Sequence, residues 1–179
     1  MHSAKSALPW LTWIGAYSGM RLNETTGLDV ADVKRVGDIW YFDLTQAKSE
    51  AGVRFVPVHS ALLEAGFGDY LEHVKQGSLF PGLKPGGLDG KLGVYASKRF
   101  TVWRRKLALT DRDRATGRDR LDYHSLRRSV VTALKRAGIS EADIAEVVGH
   151  EHPHITLGTY ADRHLLTRLQ AIVEAIIYG

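Results

Sequence analysis

Six polar residues along the chain have the types and the spacing that a metal-free site for phosphodiester cleavage requires. They are Arg21, Lys48, His124, Arg127, His150 and Tyr160. Such a site needs positive donors for the non-bridging phosphate oxygens, a nucleophile that attacks phosphorus, and an acid that protonates the departing oxygen. Two arginines, a lysine, two histidines and a tyrosine supply all of these, so the residue types predict phosphoryl transfer.

Arg21 and Arg127 are the candidates for holding the phosphate. A guanidinium is planar, stays charged and can bond two phosphate oxygens at once, which the point charge of a lysine cannot do. A tyrosine hydroxyl has an unperturbed pKa of about 10, so at neutral pH it must lose its proton to a neighbour or to a strongly positive field. His124 or His150 could accept that proton, and the two arginines could supply the field.

The elements around these residues predict a mostly helical α+β domain with a small antiparallel sheet. Apolar residues recur at helical spacing, or follow a capping residue, over 6–20, 22–26, 95–109, 125–137, 141–148 and 165–178. Residues 39–44 and 53–58 are rich in strand-forming side chains, and the polar residues 45–52 between them predict a hairpin whose turn carries Lys48. Each candidate residue therefore lies beside the end of an element or in a turn.

Other segments predict the remaining organisation. Residues 77–93 hold two prolines and six glycines, which predicts an extended surface loop. Residues 110–120 hold four arginines and three aspartates, typical of a solvated linker. The four tryptophans are interpreted as core. We find no internal repeat and no second-domain boundary, so 1–179 are interpreted as one catalytic domain.

Composition narrows the class of protein. The chain has no cysteine, which excludes disulfides and thiolate metal sites and suits a reducing cytoplasm. Its longest apolar stretches, 8–17 and 171–178, fall well short of the roughly 20 residues that a membrane span needs. The net charge of +4 and the pI near 9.4 favour a polyanionic partner. We therefore expect a soluble, intracellular protein.

The motifs, taken in order, resemble the catalytic domain of the tyrosine recombinase, or phage integrase, family. Five parts of the chain are similar to the family's motifs: 18–24 (SGMRLNE), 45–48 (TQAK) with 54–58 (RFVPV), 124–128 (HSLRR), 148–150 (VGH) and 159–160 (TY). These correspond to the first arginine motif, the lysine-bearing hairpin, the His-x-x-Arg box, the third motif and the nucleophile. Each match alone occurs by chance, but five in order, between about 8 and 165, are specific.

The resemblance implies a mechanism and a partner. Tyr160 attacks the scissile phosphate of double-stranded DNA, which leaves a 3′-phosphotyrosyl bond and a free 5′-hydroxyl. Arg21, Arg127 and His150 hold the phosphate oxygens. No metal, ATP or other cofactor is implied, because the ester conserves the bond energy.

The other residues and the assembly are implied in the same way. His124 assists proton transfer, and Lys48 protonates the leaving oxygen. Glu24 is expected to orient Arg21. The C-terminal helix is expected to pack on its own domain or to mediate self-association on DNA. A bacterial or phage-encoded, cytoplasmic protein is implied, and the additional amino-terminal DNA-binding domain usual in the family is expected to be absent from 1–179.

Some alternatives stay open. His150 and Tyr160 are ten positions apart, one more than in common members, and Pro153 lies between them, so Tyr178 is a second candidate nucleophile. The same fold could also be a DNA-binding relic without catalysis or a relative of type IB topoisomerases. The alternating His150, His152 and His154 suggest a metal-dependent phosphodiesterase as another alternative, although no nearby cysteine or acidic cluster other than Glu151 and Asp162 completes a metal site.

Overall fold

The computed structural model describes residues 7–44, 53–88, 90–150 and 161–178. Its helices are α1 (Ala7–Ser18), α2 (Leu22–Thr26), α3 (Ser60–Glu64), α4 (Phe67–Val74), α5 (Leu92–Lys106), α6 (Tyr123–Arg136), α7 (Glu141–Val148) and α8 (Arg163–Glu174). Its strands are β1 (Val33–Val36), β2 (Ile39–Asp43) and β3 (Phe55–Pro57), and a 3-10 turn spans Val30–Asp32. The predicted mostly helical α+β class with a small antiparallel sheet is confirmed.

The sheet has the order β1-β2-β3, and both strand pairs are antiparallel. Phe42 in the middle strand pairs with Val33 on one side and with Val56 on the other. The β2–β3 pair is the predicted hairpin. Strand β1 was not predicted, because this edge strand carries two charged residues and joins β2 through a tight turn at Gly37, whose φ is 63°.

The buried apolar side chains form one continuous core between the helices and one face of the sheet. Leu11 and Ile14 of α1 are fully buried, and α1 packs against α6. Helix α8 lies against β2, β3 and α7 and buries Leu166, Leu169 and Val173. The apolar face of the C-terminal helix is therefore covered by its own domain, and the helix ends at Glu174 rather than at 178.

The segment 77–93 and the tryptophans differ in part from the predictions. The segment 77–93 is not wholly a surface loop, because Leu79 and Phe80 are fully buried and Leu79 O accepts a hydrogen bond of 2.6 Å from the Tyr70 hydroxyl. The side chains of Leu79 and Phe80 are long enough to reach the core from a segment made of turns. Among the tryptophans, Trp10 is buried in the core, Trp40 and Trp103 are half-buried and pack against it, and Trp13 is half-buried.

The mixed-charge segment 110–120 is attached to α5. Arg104 Nη2 lies 2.6 Å from Asp119 Oδ2, and both side chains are nearly buried. The other oxygen of Asp119 accepts the backbone N–H of Asp111 and of Leu121. Because a buried guanidinium needs a paired acceptor, this ion pair fixes the segment just before α6. None of the helices in the described ranges is long and apolar enough to cross a membrane.

Gly15 provides a test of the α1–α6 packing. A Cβ at this position would lie 2.4 Å from Tyr123 Oη and 2.6 Å from its Cζ. Tyr123 is buried, its hydroxyl donates a hydrogen bond to Leu11 O at 2.9 Å and lies 3.2 Å from Thr25 Oγ1, so it cannot move freely. We expect Gly15→Ala to lower the free energy of unfolding by about 1–3 kcal/mol.

The matched control is Gly68→Ala in α4, where nothing lies within 4 Å of the added Cβ. There the better helix propensity of alanine should raise the free energy of unfolding by about 0.5–1 kcal/mol. Urea denaturation of both variants measures the difference. An equal gain in stability at the two positions would show that Tyr123 does not pack against α1 as described.

Candidate functional site

Three arginine side chains converge on the C-terminal end of α7. The hydrogen bonds run from Arg54 Nε to Val147 O at 2.8 Å, from Arg127 Nη1 to Val148 O, and from Arg21 Nη2 to Gly149 O at 2.6 Å. The last carbonyls of a helix have no partner within it and carry partial negative charge, so they attract cations. Three successive carbonyls thus bond three different arginines, directly before His150.

The sequence determines where α7 begins and ends. Ser140 Oγ accepts the backbone N–H of Asp143, which caps the first turn. Gly149 ends the helix in the left-handed conformation, with a φ of 74°. The backbone N–H groups of Gly149 and His150 both donate to Ala145 O, at 2.8 and 3.0 Å. This cap and this helix stop confirm the predicted bounds 141–148, and together they fix the backbone of His150.

Glu24 holds Arg21 from the other side. Its Oε1 accepts Arg21 Nη1 at 2.7 Å, and its Oε2 accepts the backbone N–H of Arg21 at 2.8 Å. Arg54 bonds the same carboxylate, with Nη2 to Oε2 at 2.9 Å and Nη1 to Oε1 at 3.4 Å. Burial alone would raise the pKa of the Glu24 carboxyl, but the bonds from Arg54 and Arg21 hold it below its ordinary value. The predicted orienting role of Glu24 is confirmed.

Arg127 lies on the inner face of α6, and only 3% of it is exposed. Besides Val148 O, its Nη1 bonds Gly19 O at 2.7 Å, which ties α6 to the turn before Arg21. Burial lowers the pKa of Arg127 to about 10, and the positive charges of Arg21 and Arg54 act in the same direction. The guanidinium therefore stays protonated at neutral pH.

Part of this cluster reaches the surface. The Arg21 side chain is 41% exposed, and among the described residues only two of its N–H donors are engaged, by Glu24 and Gly149. A guanidinium has five such donors, so Arg21 keeps donors for a ligand. His124, in the first turn of α6, and His150 are both exposed. The arrangement can present cationic and imidazole groups to an anion at the surface.

The electrostatic environment of His150 reflects this cluster. Although the residue is exposed, partial desolvation of its imidazole by the packed neighbours lowers its pKa, and the charges of Arg127, Arg21 and His124 lower the pKa further. His150 is therefore neutral at neutral pH. A neutral imidazole can accept a proton or donate one N–H to a bound oxygen.

We expect His150 to titrate below the ordinary histidine pKa of about 6.5. The folded state then binds this proton less well than the unfolded chain. The contribution of His150 to folding stability is thus full above pH ~6.5 and is lost as the pH falls from there through the folded pKa. Arg21→Gln removes a neighbouring cation and should raise the pKa of His150, as measured by heteronuclear NMR. A His150 pKa that is not depressed, or that is unchanged in the variant, would contradict this arrangement.

The structure places the predicted site residues unequally. Arg21, Arg127 and His150 come together around the end of α7, and the charge of His124 acts on His150. Lys48 and Tyr160 lie outside the described residues, as do His152 and His154. In the part of the chain that the structure describes, no group of three or more histidine or acidic side chains could hold a metal ion.

The alternative nucleophile, Tyr178, lies in a different environment. Its hydroxyl donates a hydrogen bond to Ala16 O on α1, and its ring packs edge-on against Tyr17. Burial raises the pKa of the Tyr178 hydroxyl to about 12, and Tyr17 adds to this effect. Forming a tyrosinate at this position therefore costs more than at an unperturbed tyrosine.

Arg54 is the site residue that the sequence analysis missed. It was assigned only to the exit strand of the hairpin, yet it is 3% exposed and bonds both Glu24 and the α7 end. A signal was present in the sequence. A single arginine directly before the apolar run 55–58 of a buried strand must pair its charge inside the protein.

Comparison with known proteins gave a match to one family model. Residues 4–165, most of the chain, match the model described as the Phage integrase family. No curated protein and no solved structure matched the chain.

Proposed function

Because the chain belongs to the phage integrase family of tyrosine recombinases, whose members act on DNA, we propose that residues 1–179 act as a catalytic domain that cleaves and rejoins DNA strands. The proposal is site-specific recombination through a 3′-phosphotyrosyl intermediate. Its substrate is double-stranded DNA.

The observation that carries this proposal is the surplus of positive charge at the end of α7. In the part of the chain that the structure describes, Arg21, Arg54 and Arg127 lie around the carboxylate of Glu24, so positive charges outnumber carboxylates among these residues. The α7 carbonyls offset only part of the difference. Desolvation lowers the pKa of the His150 imidazole most, and the positive charges of Arg127 and Arg21 lower it further. A phosphodiester anion bound at Arg21 would balance the charge.

The cluster suits the transition state of phosphoryl transfer. Negative charge develops on the non-bridging oxygens of the phosphate, and preorganised cationic donors stabilise it most where water has little access. Arg127 is buried and charged, while Arg21 is half-exposed with donors to spare. In the proposed reaction both arginines and the N–H of His150 bind the non-bridging oxygens.

The covalent step follows from the remaining residues. The Tyr160 oxygen forms a bond to phosphorus while the bond between phosphorus and the 5′ oxygen breaks. The tyrosine proton passes to a histidine, His124 or His150, and Lys48 protonates the departing 5′ oxygen. Attack by another 5′-hydroxyl reverses these transfers and releases Tyr160. The chemistry needs no ATP, because the phosphotyrosyl ester retains the energy of the cleaved bond.

Trapping of the covalent intermediate tests the proposal. The purified chain is incubated in EDTA with a pool of nicked, end-labelled duplexes of randomised sequence, in which cleavage releases a short strand and prevents religation. We expect labelled DNA that migrates with the protein on a denaturing gel, together with free 5′-hydroxyl ends. Cleavage that EDTA abolishes would favour a metal-dependent phosphodiesterase, and DNA binding without an adduct would favour a relic that has lost catalysis.

Plasmid substrates separate recombination from topoisomerase activity. A trapped target sequence is cloned in two copies on one supercoiled plasmid. Deletion or inversion between the copies is the result expected of a recombinase. Relaxation without recombinant products would assign the chain to the type IB topoisomerase-like alternative.

The proposal also covers how copies of the protein assemble on DNA. Since α8 is covered by its own domain, we place self-association on DNA at the residues just after it, where Ile177 is 78% exposed. Ile177 and Tyr178 line a groove of about 1240 Å³ beside α6. Sedimentation of the protein with and without a trapped target duplex tests whether DNA raises the number of copies in the complex.

We further propose that a phage or another mobile element of a bacterium encodes the protein, which acts in the cytoplasm.

A further inference from the structure

Arg54 is a buried charged residue to which the proposed chemistry assigns no step. It lies directly before β3, and its carbonyl accepts the backbone N–H of Leu44 at 2.9 Å, so it continues the β2–β3 ladder. Only 3% of the residue is exposed. Burial lowers the pKa of its guanidinium, and the bonds and charge of Glu24 oppose that shift. A charge in this position is costly unless every partner is in place.

The Arg54 side chain joins three segments that are far apart in sequence. Its two terminal nitrogens bond the two oxygens of Glu24 on α2, at 2.9 and 3.4 Å. Its Nε bonds Val147 O in the last turn of α7, at 2.8 Å. Glu24 in turn bonds both the side chain and the backbone N–H of Arg21. One guanidinium therefore links the carboxylate that orients Arg21 to the helix end that carries His150.

We infer that Arg54 is a positioning residue for strand cleavage. It fixes the distance between Arg21, through Glu24, and His150, through the end of α7. The inference rests on the proposed function, and it adds a residue to the set that the sequence motifs supply. Arg54 acts through Glu24 and α7 and does not itself bind the phosphate.

The geometry requires arginine at this position. The planar fork presents two parallel N–H donors to one carboxylate and a third donor, on Nε, in the same plane toward a different acceptor. A lysine ammonium keeps the charge but is a single compact donor group. It can reach Glu24 or Val147 O, and it leaves the other without a partner. Arg54→Lys thus removes the coupling while it keeps the net charge of the cluster.

The experiment compares Arg54→Lys with Arg168→Lys, using the full 179-residue chain. Arg168 is a matched control, because it also bonds side chains of α7, Asp143 at 2.9 Å and Glu146 at 2.6 Å, but it lies at the surface. The first readout is the rate of adduct formation with a trapped target duplex. The second is the response of the His150 NMR signals to added inorganic phosphate, which reports only on folded molecules.

Misplacement of a catalytic group by about 1 Å costs on the order of 10²-fold in rate, so we expect Arg54→Lys to form the adduct about 10²-fold more slowly. Its His150 signals should respond to phosphate only at higher concentrations than in the wild type. Arg168→Lys should match the wild type in both readouts. Wild-type rate and wild-type phosphate response in Arg54→Lys would overturn the inference.

A second variant covers the case in which Arg54→Lys does not fold. The double variant Arg54→Met/Glu24→Gln replaces the buried ion pair by uncharged side chains, a change that often preserves stability. It still removes the link between Arg21 and α7, so its adduct formation should remain slow. A folded double variant that cleaves at the wild-type rate would overturn the inference. If the wild type itself forms no adduct, the proposed function fails and the inference with it, whereas an active wild type with an equally active Arg54→Lys sinks the inference alone.

Discussion

Replacing Tyr160 by phenylalanine is expected to abolish the covalent adduct between protein and DNA. The substitution removes only the hydroxyl oxygen that attacks phosphorus, so no neighbouring donor can compensate for it. The arginine cluster at the end of α7 is untouched. DNA binding should therefore change by no more than about twofold. Denaturing electrophoresis with a nicked target duplex measures the adduct, and gel-shift titration measures the binding.

The matched control for this variant is Tyr178→Phe. The Tyr178 hydroxyl bonds Ala16 O, and burial raises its pKa to about 12, so we expect its loss to leave adduct formation at the wild-type level. If the adduct disappears in Tyr178→Phe and persists in Tyr160→Phe, the nucleophile is Tyr178. Persistence in both variants would point to a nucleophile other than these two tyrosines.

Replacing Arg127 by lysine is expected to slow strand cleavage by about 10³-fold, the upper range for loss of one preorganised donor to a developing oxyanion. Arg127 Nη1 donates hydrogen bonds to both Gly19 O and Val148 O. The other two guanidinium nitrogens carry its remaining N–H donors. Lysine retains the charge, but its ammonium cannot hold these two carbonyls and also bind a phosphate oxygen in a planar array. Single-turnover rates of adduct formation measure the effect.

The neighbouring Arg128→Lys is the control for charge and helix position. Arg128 is exposed on the outer face of α6, where its Nη2 bonds Ser125 Oγ at 2.7 Å. Within the described ranges Arg128 does not bond the end of α7, so its replacement should change the rate by less than about threefold. The urea concentration at the midpoint of unfolding, measured for both variants, separates a loss of catalysis from a loss of stability. A loss in Arg128→Lys as large as that in Arg127→Lys would mean that general basicity, and not the buried clamp, drives the reaction.

The sequence predicts those elements whose boundaries are set by local residues. Helix α2 and helix α7 have the predicted bounds, because for α7 Ser140 and Gly149 act on their own turn of backbone. Helix α5 begins and ends earlier than the predicted 95–109. Strand β1 was missed because edge strands tolerate charged residues, which weakens their alternating pattern.

For the site, the motif order supplied Arg21, Arg127 and His150, and the structure brings these three together at one helix end. The two arginines bond backbone carbonyls at that helix end, and such carbonyls have no signature in a sequence. The role of Arg54 depends on the approach of β3 to α7 across 93 residues of chain, and only the packed core determines that approach. Pattern reasoning finds side chains with distinctive chemistry, but it does not find the backbone groups that hold them.

The most direct test of the proposed mechanism is to identify the amino acid that carries DNA after cleavage. The trapped adduct is digested with protease and nuclease, and the modified peptide is sequenced by tandem mass spectrometry. The expected result is a nucleotide linked through its 3′-phosphate to Tyr160, with a free 5′-hydroxyl on the other DNA end. A nucleotide on any other residue, a 5′-phosphate linkage, or cleaved DNA with no modified peptide would contradict the mechanism.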